Sequence, residues 1–328
     1  MLHEKDTVLL RRGEGELLVV QFEVYSNKET EPWNDDEAEQ SNDDEPEASN
    51  EDDTEESNDD DTEESNDDKP MVNAELCVLR HGRGVWELME AVPVVLDEMA
   101  SSGKGAAKLM QEWETDAAIP IGDRFLCFVD YLRGMLLCDT ADMESRPLTL
   151  RYVPLPVAPA GHFWSDEWPC MRRSRNLSAA GAGAVRFVSV DPRCCCGGPG
   201  STTCKRGWFA FTVTTWTLSL PMDDGEPSAT TWVKDGVLDC EELWAFPAYD
   251  GLPRVHLEHP IVSSDDPDVV CFTVCEDHYV NSSEEKVWML EVNTRSKELL
   301  SAIPLHHRSM ENRVQQRSGE TPVVTCCY

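Results

Sequence analysis

Gly122–Thr140, with the sequence GDRFLCFVDYLRGMLLCDT, contains two short apolar runs on either side of a glycine. Phe125–Tyr131 and Met135–Asp139 are the runs, and Arg133-Gly134 lies between them. Apolar runs of this length around a glycine-containing turn are typical of an antiparallel β-hairpin. The centre of the chain is therefore predicted to be β-structure.

Similar runs occur on both sides of this hairpin and are separated by turn residues. They are Thr7–Arg11, Leu17–Tyr25, Ala74–Arg80, Val85–Val95, Leu148–Pro154, Val185–Val190, Trp208–Leu220, Thr231–Val233, Val269–Val274, Val287–Val292 and Glu298–Ile303. Many short strands at such spacing indicate a propeller, barrel or sandwich. Helical periodicity is weak, and only Lys104–Trp113 is predicted to be a short helix.

Glu29–Asp68 has 22 Asp and Glu among its forty residues, and neither Lys nor Arg. A Ser-Asn pair followed by two acidic residues recurs every eight residues, at Ser41, Ser49, Ser57 and Ser65. Only Trp33 offers a large apolar side chain, so residues 29–69 are predicted to be a disordered insertion. Two interpretations remain open. The insertion is a passive loop, which chain entropy tolerates, or it is functional, either as a tail that binds a basic partner or as an array of phosphorylation sites at the four serines.

The chain has a formal charge of −35, and 41 acidic residues against 28 basic ones remain outside the acidic tract. This balance disfavours nucleic-acid binding, which depends on neutralising phosphates, and suits either a basic protein partner or simple solubility. No apolar run approaches the length of a membrane span. Because residues 1–16 contain no apolar leader, we expect an intracellular protein, cytoplasmic or nuclear and not secreted, with free thiols.

Motifs that would fix a chemistry are missing from the sequence, which lacks G-x-S-x-G, H-E-x-x-H and phosphate-loop patterns. We therefore expect no catalytic residues, no cofactor and no metal site. Cys194–Cys196 with Cys204 lacks the paired spacing of a zinc site, which leaves a thiol-bearing loop, a redox role or a metal as alternatives. Asp265–Asp268 is interpreted as a turn rather than a calcium site. Trp164 and Trp168 lie in a loop that could form a partner-binding rim.

Two further expectations concern the core. Cys271 and Cys275 lie four residues apart in a strand and are predicted to be small core residues. Most tryptophans in or beside strands are also predicted to be structural; they are Trp86, Trp208, Trp216, Trp232, Trp244 and Trp288.

The central segments resemble a plant family known as domain of unknown function 1618, which is expanded in grasses. Gly122–Thr140, LRYVPLP at Leu150–Pro156 and PRVHLEHPIVSSDDPDVVCF at Pro253–Phe272 carry the resemblance, with FTVTTWTLSL, ELWAFP and the segment Val287–Leu305 in support. The segments are also similar to F-box-associated and kelch-like β-propeller domains, in which a strand ends in Asp or Asn before a turn. Asp130–Gly134 and Asn293–Ser296 take equivalent places in that pattern. The resemblance implies a fold but no activity.

We predict an all-β, β-propeller-like domain of about four sheets, open or closed, formed by residues 1–28 and 70–307. Residues 308–328 are predicted to be a polar C-terminal tail. The favoured function is a non-catalytic protein-interaction module in plant cells. The alternatives are an enzyme of unrecognised class with a site in the central channel, and a degenerate family member with little function. The oligomeric state stays open at this level.

Limited proteolysis tests the domain organisation. We expect cleavage to concentrate between residues 29 and 69, where burial cannot offset the entropy of ordering. The two fragments are expected to stay associated during gel filtration, because strands on both sides of the insertion belong to one domain. Fragments that separate without denaturant would contradict the single-domain prediction.

Overall fold

The computed structural model confirms the all-β, propeller-like fold, with strands arranged in four sheets. The structure describes residues 5–12, 15–26, 72–82, 84–95, 109–141, 148–157, 171–181, 183–193, 209–221, 231–276 and 286–305. The predictions for the acidic insertion, its four serines, Trp164, Trp168, Trp208, Cys194–Cys196, Cys204 and the C-terminal tail lie outside these residues.

Sheet I is an antiparallel meander of the first four strands in sequence order. The strands are β1 (Thr7–Arg12), β2 (Glu16–Ser26), β3 (Val72–Arg80) and β4 (Trp86–Val92). The acidic insertion connects β2 to β3, which pair directly with Ser26 opposite Val72. The insertion therefore occupies a hairpin connection.

Sheet II has five strands in the order β5-β9-β8-β7-β6. They are β5 (Val94–Val95), β6 (Ala117–Ile121), β7 (Phe125–Asp130), β8 (Gly134–Asp139) and β9 (Leu150–Pro154). Four of them form an antiparallel meander, whereas β5 pairs in parallel with β9 and so ties the end of sheet I to the outer edge of sheet II.

Sheets III and IV are antiparallel meanders of four strands each. Sheet III contains β10 (Arg175–Ala179), β11 (Ala184–Pro192), β12 (Phe211–Ser219) and β13 (Trp232–Asp239). Sheet IV contains β14 (Glu258–Val262), β15 (Val269–Cys275), β16 (Val287–Asn293) and β17 (Glu298–Leu305).

Helical structure in the described residues is short. Met171–Arg173 and Pro247–Tyr249 are 3₁₀ turns, and α1 (Cys240–Trp244) is one α-helical turn that begins after a capping box formed by Asp239 and Glu242. Of the predicted helix Lys104–Trp113, residues 109–111 are helical. Among the residues described, none of these helices has the length and apolar character that crossing a membrane requires.

The predicted hairpin at the centre of the chain is formed by β7 and β8. Asp130 Oδ1 accepts hydrogen bonds from the backbone N–H groups of Leu132 and Arg133, at 2.9 and 3.1 Å, and so organises the turn. Gly134 begins β8 so close to β9 that an added Cβ would lie 2.4 Å from the Tyr152 ring. Only glycine fits there without movement of the neighbouring strand.

The second predicted turn, Asn293–Ser296, uses the same chemistry at a different place in its sheet. Asn293 Oδ1 accepts from the N–H groups of Arg295 and Ser296. However, this turn joins the third and fourth strands of sheet IV, whereas the turn at Asp130 joins the second and third strands of its meander. The two turns are therefore alike in hydrogen bonding, and each follows a strand that ends in Asp130 or Asn293, as the pattern predicts; they differ only in which strands of their sheets they join.

Three apolar clusters lie between successive sheets and hold them in series. Cluster I joins sheets I and II, cluster II joins sheets II and III, and cluster III joins sheets III and IV. Large buried members, one from each sheet, are Phe22 and Phe128 in cluster I, Val129 and Phe187 in cluster II, and Phe211 and Phe272 in cluster III. The first strands of successive meanders, β1, β6, β10 and β14, contact one another in that order. They are the innermost strands of a propeller-like array.

Sequence patterns missed three of these four innermost strands, β6, β10 and β14. Each has five residues, and β6 and β14 contain Pro120 and Pro260. In the described sheets an innermost strand pairs on one side only, and a proline without an N–H is tolerated at such an edge. The predicted strand Val85–Val95 is also corrected, since Pro93 separates β4 of sheet I from β5 of sheet II.

Removal of one aromatic ring from cluster I tests whether it holds sheets I and II together. Phe128 is fully buried, and its ring stacks on Phe22 with centroids 4.6 Å apart. We expect Phe128→Ala to lower the free energy of unfolding by about 3–5 kcal/mol in urea titrations followed by tryptophan fluorescence. The control Val233→Thr, at a side chain that is 60% exposed, should stay within about 0.5 kcal/mol of wild type. Equal effects of the two substitutions would contradict this packing.

Candidate functional site

Polar side chains gather where β6 and β10 begin and β7 ends, and this polar cluster is where an enzymatic site would be sought. Asp116 directly precedes β6, and Arg175 is the first residue of β10. Asp130 is the last residue of β7, and Tyr131 follows it. Asp191, in β11, adds a further carboxylate that interacts electrostatically with Arg175.

The carboxylate of Asp130, which is 1% exposed, is fully engaged by its own hairpin and the segment before β6. Besides the two turn N–H groups, Asp130 Oδ2 accepts from Arg133 Nη1 at 2.9 Å and from the backbone N–H of Glu114 at 3.2 Å. A carboxylate with four donors acts as an organiser of local structure. Its geometry leaves no oxygen directed at a substrate.

Tyr131 and Arg175 join sheet II to sheet III. The Tyr131 hydroxyl accepts from the backbone N–H of Leu177 at 3.1 Å, and Arg175 donates from Nη1 to the Tyr131 carbonyl oxygen. Burial raises the pKa of Tyr131 to about 12, so its hydroxyl keeps its proton. Burial also lowers the pKa of Arg175, an effect that Asp191 and Asp130 oppose. Among the described residues, the Arg175 Nε has no hydrogen-bond partner.

Two carboxyl groups of the polar cluster have raised pKa values. Burial is the main cause for both: Asp116 is also near Asp130 and accepts one hydrogen bond from the Tyr131 N–H, which opposes the shift. The pKa of Asp191 is raised by burial and lowered in part by the Ser189 hydroxyl and Arg175. A carboxyl whose pKa is raised by burial is a candidate general acid. This is the chemistry on which the enzymatic alternative depends.

A second buried polar group connects sheets III and IV. The Arg186 side chain is 3% exposed and pairs with Asp235 at 2.8 Å and with Asp268 at 3.0 Å. Asp268 also pairs with Arg295 at 2.6 Å, and this hydrogen bond is the main reason that the pKa of Asp268 is lowered. Both arginines neutralise Asp268, so the group contributes to packing. The segment Asp265–Asp268 forms the predicted turn.

An open cleft of about 380 Å³ is lined by Arg12, Glu16, Asp123, Arg124 and Ala141. Arg12 lies 3.7 Å from Glu16, and Arg124 pairs with Asp139 at 2.6 Å. Ligand pockets are usually lined mainly by apolar and aromatic groups, whereas the lining here is charged apart from one alanine. Within the described parts of the chain, no group of three or more His, Cys, Asp or Glu residues is arranged to hold a metal ion.

The outer side of sheet I, opposite cluster I, presents an apolar row that no described residue covers. Leu9, Val19, Leu79 and Trp86 lie opposite one another across all four strands. Leu9 is 55% exposed and Trp86 is 41% exposed, and Leu88 in the neighbouring row is 53% exposed. We name this surface the first end face. Contiguous exposed apolar side chains of this kind mark interaction sites.

The outer side of sheet IV, opposite cluster III, is the corresponding surface at the other end of the array. Ile261 is 55% exposed and lies opposite Cys271, while Met289 lies opposite Ile303, which is 46% exposed. Val287 of the same sheet side is half-buried. We name this surface the last end face. Both end faces are mixed in polarity, because Glu23 lies opposite Glu75 on the first and Glu291 lies opposite Cys271 on the last.

These surfaces overturn one expectation about the core. Cys271 and Cys275 are half-buried on the last end face, while their neighbours Phe272 and Val274 fill cluster III. The prediction that they are core residues is therefore wrong. The expectation that most strand tryptophans are structural holds for the described ones: Trp86 is exposed on the first end face, whereas the others belong to or pack on the clusters, namely Trp216, Trp232, Trp244 and Trp288.

The apolar character of the end faces is visible in the sequence, although it was missed there. β2 contains LLVV and β16 contains VWML, which place apolar side chains on both sides of a strand. In β7, where all six residues are buried, the same kind of run is covered on both sides. The runs in β2 and β16 therefore predict that both sides of these strands pack against other protein surfaces.

The structure thus defines an all-β protein of four propeller-like sheets whose two outer faces are uncovered in the described residues. A family model with the description "Protein of unknown function (DUF1618)" matches residues 128–271, from β7 to β15. The match supports the resemblance to that family found in the sequence. No curated protein matches the chain.

Two substitutions with opposite pH dependence test the polar groups. Because the pKa of Asp116 is raised in the folded protein, its ionised form costs stability above the ordinary Asp value of 3.8. Asp116→Asn should therefore equal or exceed wild type in stability at neutral pH. Asp268 has a lowered pKa, so its ionised form adds stability that is lost as the pH falls through the folded-state value.

Asp268→Asn should consequently lower stability at neutral pH, and its difference from wild type should shrink in acid. Urea unfolding at a series of pH values measures both variants. Parallel pH dependence of the two variants would show that these carboxyl groups do not carry the opposite shifts.

Proposed function

We propose that this protein is a non-catalytic protein-interaction module. The observation that supports the proposal most strongly is the apolar row Leu9, Val19, Leu79 and Trp86, which lies on a sheet face that nothing described covers. Exposed aromatic side chains within such patches supply much of the binding energy in protein interfaces. The propeller-like arrangement is consistent with a binding platform, although fold alone is weak support for function.

The acidic tract is proposed to add a second, electrostatic contact with a basic protein. Its 22 acidic residues are attached to sheet I through β2 and β3. Attraction between exposed charges is screened over about 8–10 Å at physiological salt. This contact should therefore weaken strongly as salt is added, unlike a contact made by the end faces. The family resemblance supports a plant protein, and the proposed location is the cytoplasm or the nucleus.

The competing proposal is an enzyme with a site near the innermost strands. The observations that favour it are the raised pKa of Asp116 and the raised pKa of Asp191, whose carboxyl group interacts with Arg175. The neighbouring groups argue against an enzymatic site, because their hydrogen bonds are structural. Asp130 bonds to its own hairpin, and the Tyr131 hydroxyl bonds to sheet III.

Affinity capture from plant cell extract tests the interaction proposal with four versions of the full chain. They are the wild type, a version lacking residues 29–68, Trp86→Glu on the first end face, and the control Val233→Glu. Val233 is 60% exposed but lies on sheet III, away from both end faces. We expect partners that the control retains and Trp86→Glu loses, because an unpaired carboxylate would be buried in the contact.

Partners lost on deletion of residues 29–68, and released by added salt, would assign binding to the acidic tract. Identical recovery by all four versions would contradict a role for either surface. No reproducible partner with the wild type would reject the interaction proposal and direct attention to the polar cluster.

A further inference from the structure

The two end faces are the two halves of one kind of junction. Each internal sheet turns one side toward the preceding sheet and the other toward the following sheet. In β10, the side chain of Leu177 lies in cluster II, which faces sheet II. The neighbouring Asn176 points to the opposite side of the sheet, where its Oδ1 accepts a hydrogen bond from the backbone N–H of Val262 in sheet IV. The first end face is the side that an internal sheet turns to its predecessor. The last end face is the side that an internal sheet turns to its successor.

The described chain does not bring these two halves together. Leu9 lies on β1 and Ile261 on β14, the innermost strands of sheets I and IV, and each is 55% exposed. At the internal junctions, apolar side chains on innermost strands are covered: Ile121 of β6 is 0% exposed and Leu177 of β10 is 2% exposed. Closure of the ring by a single copy would bury Leu9 and Ile261 in the same way. The array is therefore open between sheets IV and I.

We propose that a second copy of this chain closes the array. The first end face of each copy packs on the last end face of the other, which creates two identical junctions related by a two-fold axis. This inference rests on the proposed interaction function and names its partner. Contacts between unlike surfaces form a closed ring when the rotation closes. Two copies supply eight sheets, within the typical range of about 4–8 for propellers, whereas three copies would exceed it.

Charge repulsion opposes this association, and its effect can be measured as a dependence of the association on salt concentration. Each copy carries a formal charge of −35, so two copies repel one another. The junction itself would bury apolar side chains such as Leu9, Trp86, Ile261 and Ile303. The carboxylates of Glu23 and Glu75 on the first end face and of Glu291 on the last lie beside them and add to the repulsion. Added salt screens the repulsion and leaves the apolar contact intact. Association of the full chain should therefore strengthen as the salt concentration rises.

Sedimentation of the full chain with variants on each end face tests the proposal. The first-face variant carries Leu9→Glu and Trp86→Glu, and the last-face variant carries Ile261→Glu and Ile303→Glu. All four side chains are more than 40% exposed in one copy, so the fold should survive. Thermal unfolding of each variant checks this, and serine replaces glutamate at any position where it does not.

We expect the wild type to sediment at twice the mass of one chain. Each variant alone should be monomeric, with association weakened by at least about 100-fold, because both junctions would bury unpaired carboxylates. An equimolar mixture of the two variants should regain a dimer. One intact first end face and one intact last end face form one junction in that mixture, while the introduced carboxylates hold the second junction open, so this dimer should be weaker than the wild-type dimer but stronger than either variant alone.

Three results would overturn the proposal. They are a wild type that is monomeric at every concentration and salt level, a dimer that survives in either variant alone, and a mixture of variants that stays monomeric. A dimer that survives in the last-face variant only would show that two first end faces pair with each other. Val233→Glu serves again as the control and should dimerise like wild type.

The outcome is separable from that of the interaction proposal. If the wild type is monomeric but loses a captured partner on Trp86→Glu, the end face binds another protein and self-association is rejected. If the mixing experiment succeeds while capture yields no other protein, the interaction with a foreign partner is rejected and the paired ring stands.

Discussion

Face-to-face packing of successive sheets is the constraint on which the rest of the structure depends. Sheets II and III lie between neighbours, so their strands must be apolar on both sides, as β7 and β11 are. The usual alternation of apolar and polar residues in antiparallel sheets would expose polar groups to one of these clusters. Because β2 in sheet I and β16 in sheet IV contain apolar runs of the same kind, apolar side chains on the uncovered faces of these two sheets follow from this architecture.

Apolar packing alone does not orient one sheet on the next, since the hydrophobic effect has no direction. Buried polar contacts supply the orientation at two junctions. The Tyr131 hydroxyl and the Leu177 N–H connect sheets II and III, and Arg186 with Asp268 connects sheets III and IV. A buried charge left without its partner is costly, so a shifted arrangement of these sheets would be penalised. The polar cluster is therefore best understood as part of the framework.

Local signals made the hairpins predictable from sequence. The turn at Asp130 depends on hydrogen bonds from its side chain to Leu132 and Arg133, two and three residues further on, and the paired runs beside it are contiguous. Innermost strands such as β6 escaped because a short run containing Pro120 does not resemble a paired strand. Contacts such as Arg186 with Asp268, 82 residues apart, have no local signal at all. Whether an apolar face is covered also depends on partners distant in sequence, which explains why the end faces emerged only from the structure.

The acidic insertion affects association more than it affects folding. Closing the 45 residues between Ser26 and Val72, rather than a five-residue hairpin loop, costs about 2 kcal/mol in chain entropy. The register of β2 and β3 continues up to these two residues, so sheet pairing offsets that cost. Its charge, in contrast, acts on whatever approaches sheet I: it attracts a basic protein and repels a second copy. Phosphorylation of the repeat serines would strengthen both effects. Ionic strength and modification would thus set the balance between the paired ring and a basic partner, without any change in the four sheets.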